Sequence, residues 1–75
     1  MKLTEMKNDT FGKVESLKND NQFLKRITSI GLTEGTNFQV VKNEKKMPVL
    51  VYVRESLVAL NRKDCESIEV KELKA

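Results

Sequence analysis

The apolar positions along the chain follow two periods. From Asp20 onward, Phe23, Leu24, Ile27 and Ile30 recur at helical spacing, which predicts an α-helix over about 21–30 with Asp20 or Asn21 as its N-cap. Gly31 stands just past the last apolar residue, where a left-handed conformation ends a helix cheaply, and Lys25 and Arg26 lie toward that C-terminal end. Elsewhere the period is two. Lys13–Leu17, opened by Gly12, reads as a first strand, Thr36–Lys42 as a second with Phe38 and Val40 on one face, and Pro48–Val53 as a third. Leu57–Leu60 and a last segment, where Ile68 and Val70 alternate with Glu69 and Lys71, complete five strands. Thr4–Met6 forms a short helical turn before a loop at 8–10, Gly35 and Arg54–Glu55 make turns, and Asn61 caps a helical turn near 62–66.

Five short strands with one real helix predict a mainly β fold, a small barrel of about five strands. The register of its central hairpin follows from the side chains. With Val40 opposite Val51 and Phe38 opposite Val53, one apolar row lies inside; Gln39 then meets Tyr52, Val41 meets Leu50, and 44–47 is the loop. A slip of one residue would send Val49, Val51 and Val53 outward. In the predicted register Val41, Leu50 and Tyr52 point away from the interior, with Met47 beside them and Lys45 and Lys46 at the rim. An adaptable apolar centre with a charged rim has the form of a partner-binding surface. The competing expectation is that the N-terminal segment folds over this face and buries it.

Composition narrows the function. The 75 residues make one domain, 1–75, with 39% apolar and 33% charged side chains, the balance of a globular chain. Fourteen basic and eleven acidic residues are mixed along the whole length, so the net charge of +3 is a solubility charge and not the clustered stripe of a nucleic-acid binder. No apolar run is long enough to span a bilayer, and the first residues soon turn charged and polar, so no membrane insertion and a cytoplasmic location are expected. The single cysteine, Cys65, has no internal disulfide partner.

The usual chemistry of enzymes is missing from the sequence. There is no histidine, so Cys65 has no base to activate it and reads as a small buried packing residue; no catalytic residue is assigned. Without histidine or a cysteine pair, no metal site and no cofactor are expected, and Glu66, Glu69 and Glu72 read as solvated surface charge. No GxxxxGK[ST] phosphate loop occurs, so Gly31 and Gly35 are structural.

Two blocks are more specific. Arg26-Ile27-Thr28-Ser29-Ile30-Gly31-Leu32-Thr33-Glu34-Gly35 is similar to the signature of the ferrous iron transport protein A (FeoA) family, in which an arginine and an aliphatic residue precede a Leu-Gly-aliphatic turn and a second glycine. Val58 to Val70, with Ala59-Leu60, the basic Arg62 and Lys63, a small residue and Ile68-Glu69-Val70, resembles the family's ending. Leu3, Met6, Gly12, Val14 and Leu17 stand at the family's offsets, so the resemblance covers essentially the whole chain. Asp9 replaces a common glycine, the loop 43–47 lacks proline-glycine turn chemistry, and Asn61 replaces a frequent arginine.

The resemblance implies an SH3-like barrel in the bacterial cytosol that works with the membrane ferrous iron transporter FeoB, whose cytosolic part binds GTP. It also carries the family's general association with transition metal ions, and it leaves weak self-association open. A chain without metal ligands or a nucleotide loop can still serve iron uptake by docking on a protein that has both. The alternative from another class is a small RNA- or ribosome-binding β-barrel, suggested by positive charge and by Lys42, Lys45 and Lys46. That reading is poorly supplied with stacking rings, because Phe23 and Phe38 of the four aromatics belong to the predicted core. A proline-rich-peptide groove is weaker still, since the chain has no tryptophan and one tyrosine.

Overall fold

The computed structural model describes residues 1–74. Five strands, β1 (Thr10–Leu17), β2 (Asn37–Lys42), β3 (Val49–Val53), β4 (Ser56–Leu60) and β5 (Ile68–Leu73), form one antiparallel sheet in the order β4-β3-β2-β1-β5. A 3₁₀ turn (Leu3–Glu5) precedes β1, helix α1 (Asn21–Ser29) joins β1 to β2, and a one-turn helix α2 (Arg62–Cys65) joins β4 to β5.

Helix α1 starts and stops where its sequence says. The Asp20 carboxylate accepts the Phe23 N–H at 3.0 Å, satisfying one of the orphan donors of the first turn. At the other end Gly31 takes φ +99°, and Leu32 and Gly31 donate to the carbonyls of Ile27 and Thr28 at 3.2 and 3.0 Å. These crossed bonds form a Schellman motif, with Ile27 and Leu32 both buried in the core.

Curling the sheet needs irregularities and one very close approach. The ladder shifts between Val14 and Ser16 on β1 and between Val40 and Lys42 on β2, and such extra residues bend a strand and tighten its twist. Gly12 faces the interior. A Cβ there would lie 2.8 Å from the Phe38 ring and 2.9 Å from the Met6 methyl, so the absence of a side chain lets both pack through the sheet's inner face. The core is completed by Val14, Val40, Val49, Val51, Val53, Ile68 and Val70 from the strands, Phe23 and Ile27 from α1, and Leu3 and Met6 from the N-terminal segment.

The hairpin register has Val40 opposite Val51 and Gln39 opposite Tyr52 as the pattern predicts, but Leu50 pairs with Lys42 and not with Val41. The reason is the bulge, which sets Val41 and Lys42 together against a single residue of β3. β1 begins at Thr10, ahead of Gly12, and so takes in Phe11; Thr36 and Pro48 lie just outside their strands. The N-terminal segment does not cover the outer face, because Leu3 and Met6, each 1% exposed, are spent inside the barrel.

The two edges of the sheet differ. β5 is extended by a bridge between Lys2 and Glu69, with the Val70 N–H donating to the Met1 carbonyl at 2.8 Å. Among the described residues β4 has no strand beyond it.

Candidate partner-docking face

The outer face of the sheet carries a continuous cross-strand row. Leu73 pairs with Phe11, Phe11 with Gln39, Gln39 with Tyr52 and Tyr52 with Leu57, so one line of side chains runs across all five strands. Phe11, Tyr52 and Leu57 are 46%, 45% and 59% exposed. Phe11, Tyr52 and Leu73 line one shallow cleft, together with Gln39 and Arg54. One step along the strands, Leu50 faces Ala59, and these two line a second cleft with Met47 and Pro48.

Of the residues singled out from the sequence, Met47 and Leu50 share this second cleft, and Tyr52 stands on the same face in the first. Lys45 and Lys46 are exposed beyond Met47, and Lys46 lines a groove with Met47, Pro48 and Arg62. Val41 is half-buried in the bulge and lines neither cleft of the outer face. Phe11, Leu57 and Leu73 were missed. Phe11 joins the row through pairing of β1 with β2 and Leu73 through pairing of β1 with β5, both between strands far apart in sequence, while Leu57 followed directly from the two-residue turn at Arg54–Glu55 once Tyr52 was placed.

Loop 43–47 is held by a polar hub. Arg62 donates from Nη1 to the Asn43 side-chain oxygen at 2.8 Å and to the carbonyls of Glu44 and Met47 at 2.9 and 3.1 Å. Asn43 in turn donates from Nδ2 to the carbonyls of Thr4 and Met6 at 2.9 and 2.6 Å, and its N–H donates to the Asn8 side chain. One guanidinium therefore ties α2, the β2–β3 loop and the N-terminal segment together, and sets Met47 beside the outer face. Here the family-like Arg62 has a clear physical task. The other residues of the two blocks are structural as well. Arg26 of α1 reaches Asp64 of α2 at 3.0 Å, a hydrogen bond that raises the affinity of the guanidinium for its proton. Gly31 packs against the Arg54 side chain, which donates to its carbonyl at 3.1 Å, and Gly35 takes φ +87° where its N–H meets the Val14 carbonyl. Ala59 is exposed on the outer face and Leu60 is buried.

Cys65 is fully buried, and burial pushes its thiol up to about 12, far from a thiolate nucleophile. Among the described residues no three His, Cys, Asp or Glu side chains gather to hold a metal ion. Among the same residues no helix is long and apolar enough to cross a membrane. What the geometry offers is an apolar, shallow, aromatic-bearing sheet face beside a pinned basic loop.

Known proteins share this fold. The FeoA domain family model matches residues 1–72. An iron uptake regulatory protein (FeoA) is similar over 97% of both chains, at 23% identity and a TM-score of 0.93. The FeoA protein from Chlorobium tepidum is 26% identical, with a TM-score of 0.84, over 99% of this chain and 71% of its own. FeoA of Stenotrophomonas maltophilia, at 24% identity, is similar over 95% of this chain and 89% of its own with a TM-score of 0.79; it was crystallised with zinc and is described as an SH3 domain protein proposed to activate bacterial ferrous iron transport. No curated protein matches the sequence.

Proposed function

Because this chain belongs to the FeoA domain family, with its SH3-like fold and its link to ferrous iron transport, we propose that it is a cytoplasmic accessory protein that docks on the cytosolic part of the membrane transporter FeoB. The observation that carries the reading is the outer face. It keeps Phe11, Tyr52 and Leu57 in solvent although the barrel's inner face is fully packed. Contiguous exposed apolar area of this kind marks an interaction site, and aromatic rings are the usual anchors of one. Met47 and Leu50 extend the contact, and Lys45 and Lys46 form a charged rim that steers an acidic surface toward it.

The test uses purified chain and the isolated cytosolic domain of FeoB. Leu50→Asp and Tyr52→Asp should each leave thermal unfolding nearly unchanged while binding to that domain falls sharply. A variant that folds and still binds normally would place the docking surface elsewhere. RNA captured in place of the transporter domain, with an affinity that drops steeply as salt rises, would overturn the reading in favour of a nucleic-acid barrel.

A further inference from the structure

We propose that β4 is a self-pairing edge: two copies of the chain join antiparallel, β4 on β4, about a two-fold axis at Val58. The hydrogen-bond phase of the strand carries the argument. Val53 and Ser56 flank the two-residue turn Arg54–Glu55, whose residues take φ +51° and +64°, so this pair exchanges the first ladder bonds of the hairpin. Bonded pairs then alternate, which turns the N–H and C=O groups of Ser56, Val58 and Leu60 toward β3 and those of Leu57 and Ala59 away from it. Nothing among the described residues takes those outward groups up, since no backbone bond outside the ladder involves either residue.

Natural sheet edges are usually blunted by a charge, a proline, a bulge or a covering segment. β5 has such a cover in Met1 and Lys2. β4 has none: Ser56-Leu57-Val58-Ala59-Leu60 contains no charge and no proline, and its ladder to β3 runs without a bulge.

A second copy fits this edge because the pattern is its own complement. In an antiparallel pair the bonded positions must be outward-facing on both strands, and placing Leu57 opposite Ala59 of the second copy satisfies both outward residues of each strand at once. Val58 then faces Val58 of the second copy on the axis. A large side chain lies beside a small one on the outer face, and no charged residue falls within the paired segment. Shifting the register by two residues in either direction leaves one turn residue, Glu55 or Asn61, to supply the missing bonds. Such an isologous seam is the common form of two-fold association, and it would extend the outer apolar row of each copy into that of the other.

The test needs no transporter, so its outcome is independent of the docking proposal. Sedimentation of the purified chain over a wide concentration range should show a monomer–dimer equilibrium. Ala59→Lys, which places a charge on the seam at an exposed site, should weaken it about ten-fold or more, about 1.4 kcal/mol of association free energy, with unfolding unchanged. Amide exchange locates the seam: raising the concentration of the unmodified chain should slow exchange at Leu57 and Ala59. A chain that stays monomeric throughout overturns the proposal. So does a dimer in which those two amides exchange as fast as in dilute solution, or one that Ala59→Lys leaves intact.

Discussion

Val49, Val51 and Val53 point into the barrel and are at most 1% exposed, whereas their alternates Leu50 and Tyr52, on the same strand, stand half-buried and 45% exposed on the outer face. The two sets are similar in hydrophobicity. What separates them is what closes over each: Leu3, Met6, Phe23 and Ile27 cover the inner face, and among the described residues no element covers the outer one. A strand with one face in water ordinarily alternates apolar with polar residues, and an unbroken run such as Val-Leu-Val-Tyr-Val belongs to strands covered on both sides. The run on β3 therefore fits the proposal that the outer face docks on a partner.

The largest effect expected of any single change tests the inner set. Val51→Ala removes two methyl groups from a site with no exposure and should cost about 2 to 3 kcal/mol, a large part of what a core of this size supplies. Denaturant unfolding measures it. A loss no greater than that of an exposed position would mean that the two faces are energetically alike and would remove the contrast.

The next effect tests the cover itself. Asn43 holds the N-terminal segment through the carbonyls of Thr4 and Met6 and receives Arg62. Asn43→Ala strands those partly buried groups and should cost about 1 to 3 kcal/mol. Faster amide exchange should spread from residues 3–6 to β5, against which that segment packs. Unchanged exchange there would show that Leu3 and Met6 stay in place through burial alone.

The hub also marks where sequence reasoning stops. Local patterns identified what local physics controls: α1 with its Asp20 cap and Gly31 stop, five strands, and the Val40–Val51 register, since a one-residue slip would have turned every valine outward. Three features escaped for three reasons. The bulge at Val41 escaped because a period of two has no place for an extra residue. Phe11 escaped because Gly12, buried without a side chain, hides the inward phase of the start of β1. The Arg62–Asn43 hub joins residues 19 apart through a loop whose polar sequence reads simply as solvated.

A smaller effect concerns α1, which supplies Phe23 and Ile27 to the inner face. The Phe23 N–H bonded to Asp20 holds its carboxyl below the ordinary value of 3.8. A carboxylate with a depressed folded value adds stability above the unfolded value and loses it as pH falls through the folded one. Asp20→Asn keeps a capping side chain but removes that charge, so its melting temperature should vary less on acidification than that of the unmodified chain. Identical acid profiles would mean that Asp20 acts through its geometry alone.

The smallest stability effect carries the sharpest contrast. Leu57 is 59% exposed and its one cross-strand neighbour on the outer face is Tyr52. Leu57→Thr keeps a β-favouring residue and the backbone of β4, and gives up only the side-chain pair, which is worth about 0.2 to 1 kcal/mol. On the inner face a change of similar size, Val51→Ala, should be several times more costly. Binding should reverse that order, because Leu57 belongs to the row proposed to meet the transporter while Val51 is buried inside the barrel. The same variant separates the two surfaces proposed for this side of the molecule. Self-pairing rests on the backbone groups of Leu57 and Ala59, which threonine leaves in place, so sedimentation of Leu57→Thr should still show association. Docking on FeoB rests on the apolar side chain, so affinity for its cytosolic domain should drop. If both are lost together, the edge and the face are one site, and the seam between copies competes with the transporter for it; if neither changes, the outer row ends at Tyr52 and Leu57 is simply an exposed leucine.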